Sequence, residues 1–225
     1  MTTTAIPTRT SNRRRRRLPD PARVVRACTL GLVVAAALLA VASASASQAA
    51  KPRVTVIGDS IAASFDYVPD ATRYLGEGLD LRSDAVVCRR LVAVSCPFQG
   101  STPPTALDVI GARGRLLGSV VVINVGYNDW SAVYDVDRVM RALRATGVQR
   151  VVWVTLREAS SNASLYARSN RRIRAADLRW KNLVVADWNA YSRGRPWFRG
   201  DGLHLTVSGA MGLARLLRPL VLPQT

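Results

Sequence analysis

Hydrophobic positions along this chain fall into two periods. Short β-branched runs stand at 53–57 (Arg-Val-Thr-Val-Ile), 120–125 (Val-Val-Val-Ile-Asn-Val), 150–156 and 183–186. Such continuous apolar runs, bounded by turn residues, predict buried strands. A less apolar stretch at 79–87 predicts a further strand. Between them the spacing changes to three and four. Val136, Val139, Met140 and Leu143 mark one face of a helix over 135–146, with Gly147 as its stop signal. Helices are also expected over 105–117, interrupted by Gly111 and Gly114, over 163–178, which is Arg-rich, and over 206–217. A helix start is expected at 60–65. The segment 88–105, with Pro97, Gly100, Pro103 and Pro104, reads as a loop. Apolar strands alternating with helices predict an α/β class protein: a parallel sheet with helices on both faces. Sites in such sheets form beyond the carboxyl ends of the strands.

The chain has 225 residues, 48% hydrophobic and 21% charged, which suits one globular domain over 51–225. The first 50 residues differ in kind. Asn12 is followed by five arginines, 13–17, then by an apolar or small stretch over 28–42. Ala42-Ser43-Ala44-Ser45-Ala46 then offers two overlapping A-x-A cleavage sites. A basic flank, an apolar core and a small-residue exit predict a signal peptide and an exported, secreted or cell-envelope protein. An uncleaved N-terminal membrane anchor is the alternative, since alanines and serines up to Ala46 lengthen the core towards the ~20 residues of a span.

The formal net charge is +17, of which residues 1–50 supply +7 and the body +10. The body's arginines are scattered, and the densest group, Arg168, Arg171, Arg172, Arg174 and Arg179, reads as the solvated face of a helix. An anionic cell-wall polymer or lipid headgroup is the functional alternative. A nucleic-acid binder is disfavoured by the export signal, so no nucleic-acid partner is expected, and membrane contact only through the N-terminal segment. Cys28 lies in that segment, leaving Cys88 and Cys96. In an oxidising compartment this pair reads as one disulfide closing a small loop, with two buried free thiols as the alternative. Two cysteines and the lone histidine make no zinc ligand set. With no phosphate loop, no H-E-x-x-H helix and no G-x-S-x-G elbow, no metal or cofactor is expected.

Three groups carry candidate chemistry. Gly58-Asp59-Ser60 follows the first strand, where glycine permits a sharp turn and free backbone N–H groups can face an anion. Read without chemistry, Ser60 is a helix cap. Gly126-Tyr127-Asn128-Asp129 follows the central strand. The Asn128 amide can donate to an oxyanion, though Gly126, Asn128 and Asp129 also suit a plain turn, which Asp129 would stabilise without taking part in the chemistry. Asp201-Gly202-Leu203-His204 precedes the last helix. An imidazole base with a carboxylate three residues away can accept a serine proton and hold the working tautomer. His204 is the only histidine in the chain. Tyr127, Trp130, Trp197 and Phe198 flank these groups and suit either an acyl or sugar pocket or the core.

Order and address together resemble the SGNH hydrolase superfamily, which includes the GDSL lipases and esterases. Its G-D-S, G-x-N-D and D-x-x-H segments are matched by Gly58, Asp59 and Ser60, by Gly126, Asn128 and Asp129, and by Asp201 and His204. The resemblance spans about residues 53–220. It implies a three-layer α/β/α flavodoxin-like sheet and acyl transfer through an acyl-Ser60 intermediate, on a small-molecule or carbohydrate ester. His204 and Asp201 would complete the triad; the Ser60 N–H and Asn128 amide would form the oxyanion hole. Water as acceptor gives an esterase, a sugar hydroxyl a transferase. One departure stands out. The family's second segment places a glycine after the second strand as third oxyanion donor. Here the stretch reads Val86-Val87-Cys88-Arg89-Arg90, and subfamilies resembling peptidoglycan O-acetyltransferase domains have Gly-Arg there. Cys88 or Arg89 is the expected backbone donor, with Gly100 as another candidate. A non-catalytic cell-wall carbohydrate-binding protein on the same fold is the rival reading.

Overall fold

A computed structural model describes residues 50–130 and 133–222. The predicted export segment, apart from Ala50, lies outside the described residues. Five strands, β1 (Arg53–Gly58), β2 (Asp80–Ala85), β3 (Val120–Asn124), β4 (Arg150–Val154) and β5 (Leu183–Ala186), form one sheet in the order β2-β1-β3-β4-β5. Every pairing is parallel. This flavodoxin-like order reverses direction between β1 and β3, the point beyond whose carboxyl ends such sheets place their sites.

Alternation along each strand supplies two cores. Val54 and Val56 of β1, Val122 of β3 and Val152 and Val154 of β4 face one side. They are covered by α1 (Ser64–Tyr67), α2 (Pro69–Gly76) and α7 (Val207–Val221). Ile57, Val121, Ile123, Val151 and Trp153 face the other. There α3 (Ala106–Arg113), a 3₁₀ turn (Gly114–Leu117), α4 (Val136–Ala145) and α5 (Ala163–Asp177) pack. A short α6 (Trp188–Tyr191) follows β5. Each such aliphatic side chain taken from water contributes about 1.5–3 kcal/mol before the entropy of ordering is counted. Polar groups fix the ends. Thr105 and Asp108 form a reciprocal capping box on α3, and the Asp135 side chain accepts from Arg138 N–H at the start of α4. The central strands and α3, α4, α5 and α7 fall within a few residues of their expected bounds. Among the described residues no helix is long and apolar enough to cross a membrane.

The segment after β1 departs from expectation. Residues 60–63 are turns, α1 is a single turn beginning only at Ser64, and α2 was not expected at all. Pro69 explains the break. A residue before proline is pushed out of the helical region, and Val68 has φ −123°, ψ 80°, while proline suits the first position of the next helix. Ser60 therefore sits in a turn held by the sheet rather than at a helix N-terminus. The arginines of α5 point to solvent, and Arg174 and Arg179 pair with Asp187 and Asp137 at 2.8 and 2.6 Å.

Candidate active site

β1 ends at Gly58, where an added Cβ would lie 2.1 Å from the Ala62 side chain; only glycine lets the chain fold back here. The turn this permits is organised by Asp59, which is fully buried. One carboxylate oxygen accepts from Ile61 N–H (3.0 Å), the other from Gly126 and Tyr127 N–H (3.1 and 3.2 Å). The serine turn after β1 and the asparagine turn after β3 are thereby fastened by one side chain. Burial pushes the Asp59 carboxyl up to about 6, against the pull of those three N–H groups.

A second buried carboxylate extends the fastening. Asp129 accepts from Leu91 N–H with both oxygens (3.1 and 3.2 Å), so it holds the loop after β2 as well as belonging to the asparagine turn. Burial raises it to about 7, opposed by the Leu91 N–H. Arg90 adds a parallel tie, donating through Nε to Asn128 O at 2.7 Å and through Nη1 to Val94 O at 3.1 Å. Arg89 is buried and donates to Asp84 Oδ1 (2.8 Å), to Asp84 O and to Pro104 O (3.0 Å). These four residues tie the three loops together; sequence reasoning gave Asp129 only the turn around Asn128 to stabilise, and gave the other three no such part. The available signal was weak: a carboxylate directly after an apolar strand needs buried N–H partners.

On this scaffold the candidate groups converge. Ser60 Oγ lies 3.0 Å from His204 Nε2, across 144 residues of sequence. His204 Nδ1 lies 2.5 Å from Asp201 Oδ2. Asp201 Oδ1 accepts from Leu203 and His204 N–H (2.8 and 2.9 Å), which turns its other oxygen toward the ring. Desolvation would raise the Asp201 carboxyl, but the bonds from Leu203 N–H and from the His204 ring and N–H hold it down at about 2. An ionised Asp201 fixes the proton on Nδ1 and leaves Nε2 to accept from Ser60. Asn128 Nδ2 donates one hydrogen to Arg89 O at 3.3 Å, leaving the other N–H available. Among the described residues the N–H groups of Ser60 and Cys88 meet no acceptor, so Cys88 offers the free donor expected after β2. Arg89 N–H does not, because it donates to Val86 O at 3.2 Å. Gly100, the other candidate, lies in the tip joining Phe98 and Ser101. Cys88 and Cys96 are disulfide-bonded, with Cα atoms 5.1 Å apart.

The flanking aromatics divide. Tyr127 is buried edge-on to Tyr166, and its hydroxyl accepts from Arg157 N–H at 2.7 Å. Trp197 stacks on Trp188 with ring centres 5.7 Å apart, and Phe198 meets Trp188 edge-on and the Arg157 guanidinium at 3.5 Å. These three belong to the core on the α1, α2 and α7 side of the sheet or pack against it. Trp130 alone stays half exposed, its ring nitrogen donating to Tyr127 O at 2.7 Å. A cleft of about 920 Å³ lies at the opposite end of β2; among its charged residues Arg73 pairs with Asp70, Arg82 with Asp80, and Glu77 with Arg218. Among the described residues no group of three or more His, Cys, Asp and Glu side chains is placed to hold a metal ion.

No family model and no curated protein matches the chain. Solved structures do. A lipolytic protein of the G-D-S-L family from Veillonella parvula superposes with TM-score 0.56 at 16% identity, covering 75% of this chain and 97% of its own. A carbohydrate acetylesterase family member from Sinorhizobium meliloti gives 0.54 at 17% identity over 76% and 97%. A carbohydrate esterase family 3 protein from Talaromyces cellulolyticus gives 0.50 at 19% over 76% and 96%. The five-stranded parallel sheet with its flanking helices is the SGNH hydrolase fold.

Proposed function

We propose that the protein is an exported serine ester hydrolase of the SGNH superfamily. The observation that carries this is the continuous line Ser60 Oγ, His204 Nε2, His204 Nδ1, Asp201 Oδ2, with steps of 3.0 and 2.5 Å across the ring. Ser60 Oγ attacks the ester carbonyl while its proton passes to His204 Nε2. The negative charge collects on the carbonyl oxygen, against the N–H groups of Ser60 and Cys88 and the Asn128 amide. Collapse breaks the ester C–O bond, and His204 returns the proton to the departing alcohol. A water then repeats the sequence on the acyl-Ser60 intermediate, losing its proton to His204 and releasing the acid.

The half-exposed Trp130, beside Asn128, favours a sugar ester as the substrate class, because an indole face stacks on a pyranose ring. A sugar hydroxyl in place of water would make the same site an O-acyltransferase. The exposed arginines of α5 suit an anionic cell-wall surface. The test is hydrolysis of p-nitrophenyl acetate, butyrate and octanoate by residues 51–225, beside the Ser60→Ala variant. Turnover that vanishes in a folded Ser60→Ala protein supports the reading. Equal turnover in both removes Ser60 from it, and no turnover, with no labelling by a serine-reactive phosphonate, leaves a binding protein on the same fold.

A further inference from the structure

Cys88 occupies a backbone conformation that belongs to glycine. Its φ is 69°, in the left-handed region that side chains with a Cβ rarely adopt. Its position is fixed from both sides. Val86 N–H donates to Gly58 O at 3.1 Å, laying the end of β2 beside the serine turn. Arg89 O receives the Asn128 amide, laying the next residue beside the asparagine turn. Cys88 lies between them, with its N–H free of any acceptor among the described residues. A glycine would adopt this φ without help. A cysteine needs an outside constraint, and one is present.

That constraint is the loop over 88–96. Its ends are joined by the Cys88–Cys96 disulfide and by Cys96 N–H donating to Cys88 O at 3.2 Å. Inside it, Arg90 N–H donates to Ser95 Oγ (3.1 Å) and the Arg90 side chain to Val94 O, while Arg90 Nε holds Asn128 O. Two of these ties, the disulfide and the Cys96 N–H bond, bear directly on the residue carrying the free N–H, and the Arg90 bonds hold the loop they close against the asparagine turn.

We propose that the Cys88–Cys96 bridge is a positioning device of the active site: it imposes on Cys88 the backbone conformation a glycine would supply, and so aims the third oxyanion donor. This rests on the esterase reading above. A consequence follows for where the enzyme works. The donor is in place only once the disulfide has formed, so full activity belongs to an oxidising compartment, in keeping with the predicted export. The thiols are otherwise bystanders, since the group that meets the oxyanion is the backbone N–H.

The experiment compares four forms of the mature protein on one p-nitrophenyl ester: wild type, wild type reduced with dithiothreitol, Cys88→Ala/Cys96→Ala and Cys88→Gly/Cys96→Ala. Loss of one oxyanion donor lowers kcat by about 10²–10³-fold, and a donor merely left unaimed loses part of that. The expected result is a kcat lowered at least about tenfold in the reduced and Ala/Ala forms, with KM little changed. Recovery of most of that loss is expected in the Gly/Ala form, which has no disulfide but needs none. A purely structural bridge predicts otherwise: the Gly/Ala form would be as impaired as Ala/Ala, or all forms would match wild type. Either result overturns the proposal while leaving the esterase reading intact. A wild-type protein without Ser60-dependent turnover overturns both. Should Ala/Ala fail to fold by circular dichroism, the reduced wild type and the Gly/Ala form still give the comparison.

Discussion

Asp59 and Asp201 are both carboxylates that accept backbone N–H groups near Ser60, yet they sit in opposite surroundings. Asp59 is fully buried, and with Asp129 it binds three separate loops, from β1, β2 and β3, into one unit. Asp201 and His204 keep 48% and 43% of their side-chain surface exposed, and all of Asp201's partners lie within three residues of it. Burial drives the first carboxyl up to about 6; local hydrogen bonds hold the second down at about 2. The difference matches the two tasks proposed for these groups. Stabilising a developing oxyanion needs donors that do not reorganise, which calls for a rigid, dry scaffold. Moving a proton needs an imidazole that reaches both nucleophile and leaving group, which a self-contained surface loop provides.

If the two halves are this distinct, they break differently. The largest effect is expected from Asp201→Asn, which deprives His204 of its orienting anion. In serine-hydrolase triads such a change costs roughly 10⁴-fold in kcat. Because the side chain is half exposed and bonded locally, the unfolding midpoint in urea should hardly move. A large loss of stability in this variant would show that the loop is part of the scaffold after all. Next is Asn128→Ala, which removes a proposed oxyanion donor from the rigid half. It should lower kcat about 10²–10³-fold with KM nearly constant. A variant whose KM rises while kcat holds would place Asn128 in substrate binding instead.

Both halves were visible in the sequence, but unequally. Ser60, Asn128, Asp201 and His204 could be found because each chemical type stands at a strand end or before the last helix, in short motifs. The layers could be found because the runs at 120–125 and 150–156 and the face of Val136, Val139, Met140 and Leu143 carry strong periodicity. What joins the motifs was not legible. The bonds from Asp59 to Gly126 and Tyr127 span 67 and 68 residues, and nothing local at either end announces the partner. The same holds for Asp129, whose part in holding Leu91 across the site reaches well beyond its own turn. Local rules also misplaced the helix after Ser60: residues 60–63 are turns, with Asp59 Oδ1 on the Ile61 N–H, and the proline effect at Val68 ends α1 after one turn.

A smaller effect, read in stability rather than rate, is expected from Asp59→Asn. The amide keeps one acceptor oxygen but sets an NH₂ against N–H groups that need an acceptor. A buried donor left unsatisfied costs about 1–3 kcal/mol. The unfolding free energy from urea titration should fall by that amount, and kcat should fall with it if this side chain aims the proposed donors. A fully stable Asp59→Asn protein with lowered kcat would make Asp59 an electrostatic participant rather than a fastener.

The smallest effect is a pH dependence that only the buried half should show. The carboxyl of Asp129 ionises at about 7 in the folded protein against 3.8 for an ordinary aspartate. Between those values the folded state holds a proton that the unfolded chain has released. Stability from this group therefore falls as pH rises from about 4 to about 7, then levels off. Other carboxylates here are held low, such as those of Asp80 and Asp137 by their arginine and tryptophan partners, and act in the opposite sense at acid pH. The useful quantity is thus a difference. Asn at position 129 cannot ionise, so the stability advantage of wild type over Asp129→Asn should shrink between pH 5 and pH 8 in urea unfolding. The corresponding difference for Asp137→Asn should stay flat over that range, since the Asp137 carboxyl is held low by Trp180 and Arg179, neither of which titrates there. If the Asp129 difference is flat too, its carboxylate is charged in the folded protein across this range, and Leu91 N–H outweighs burial.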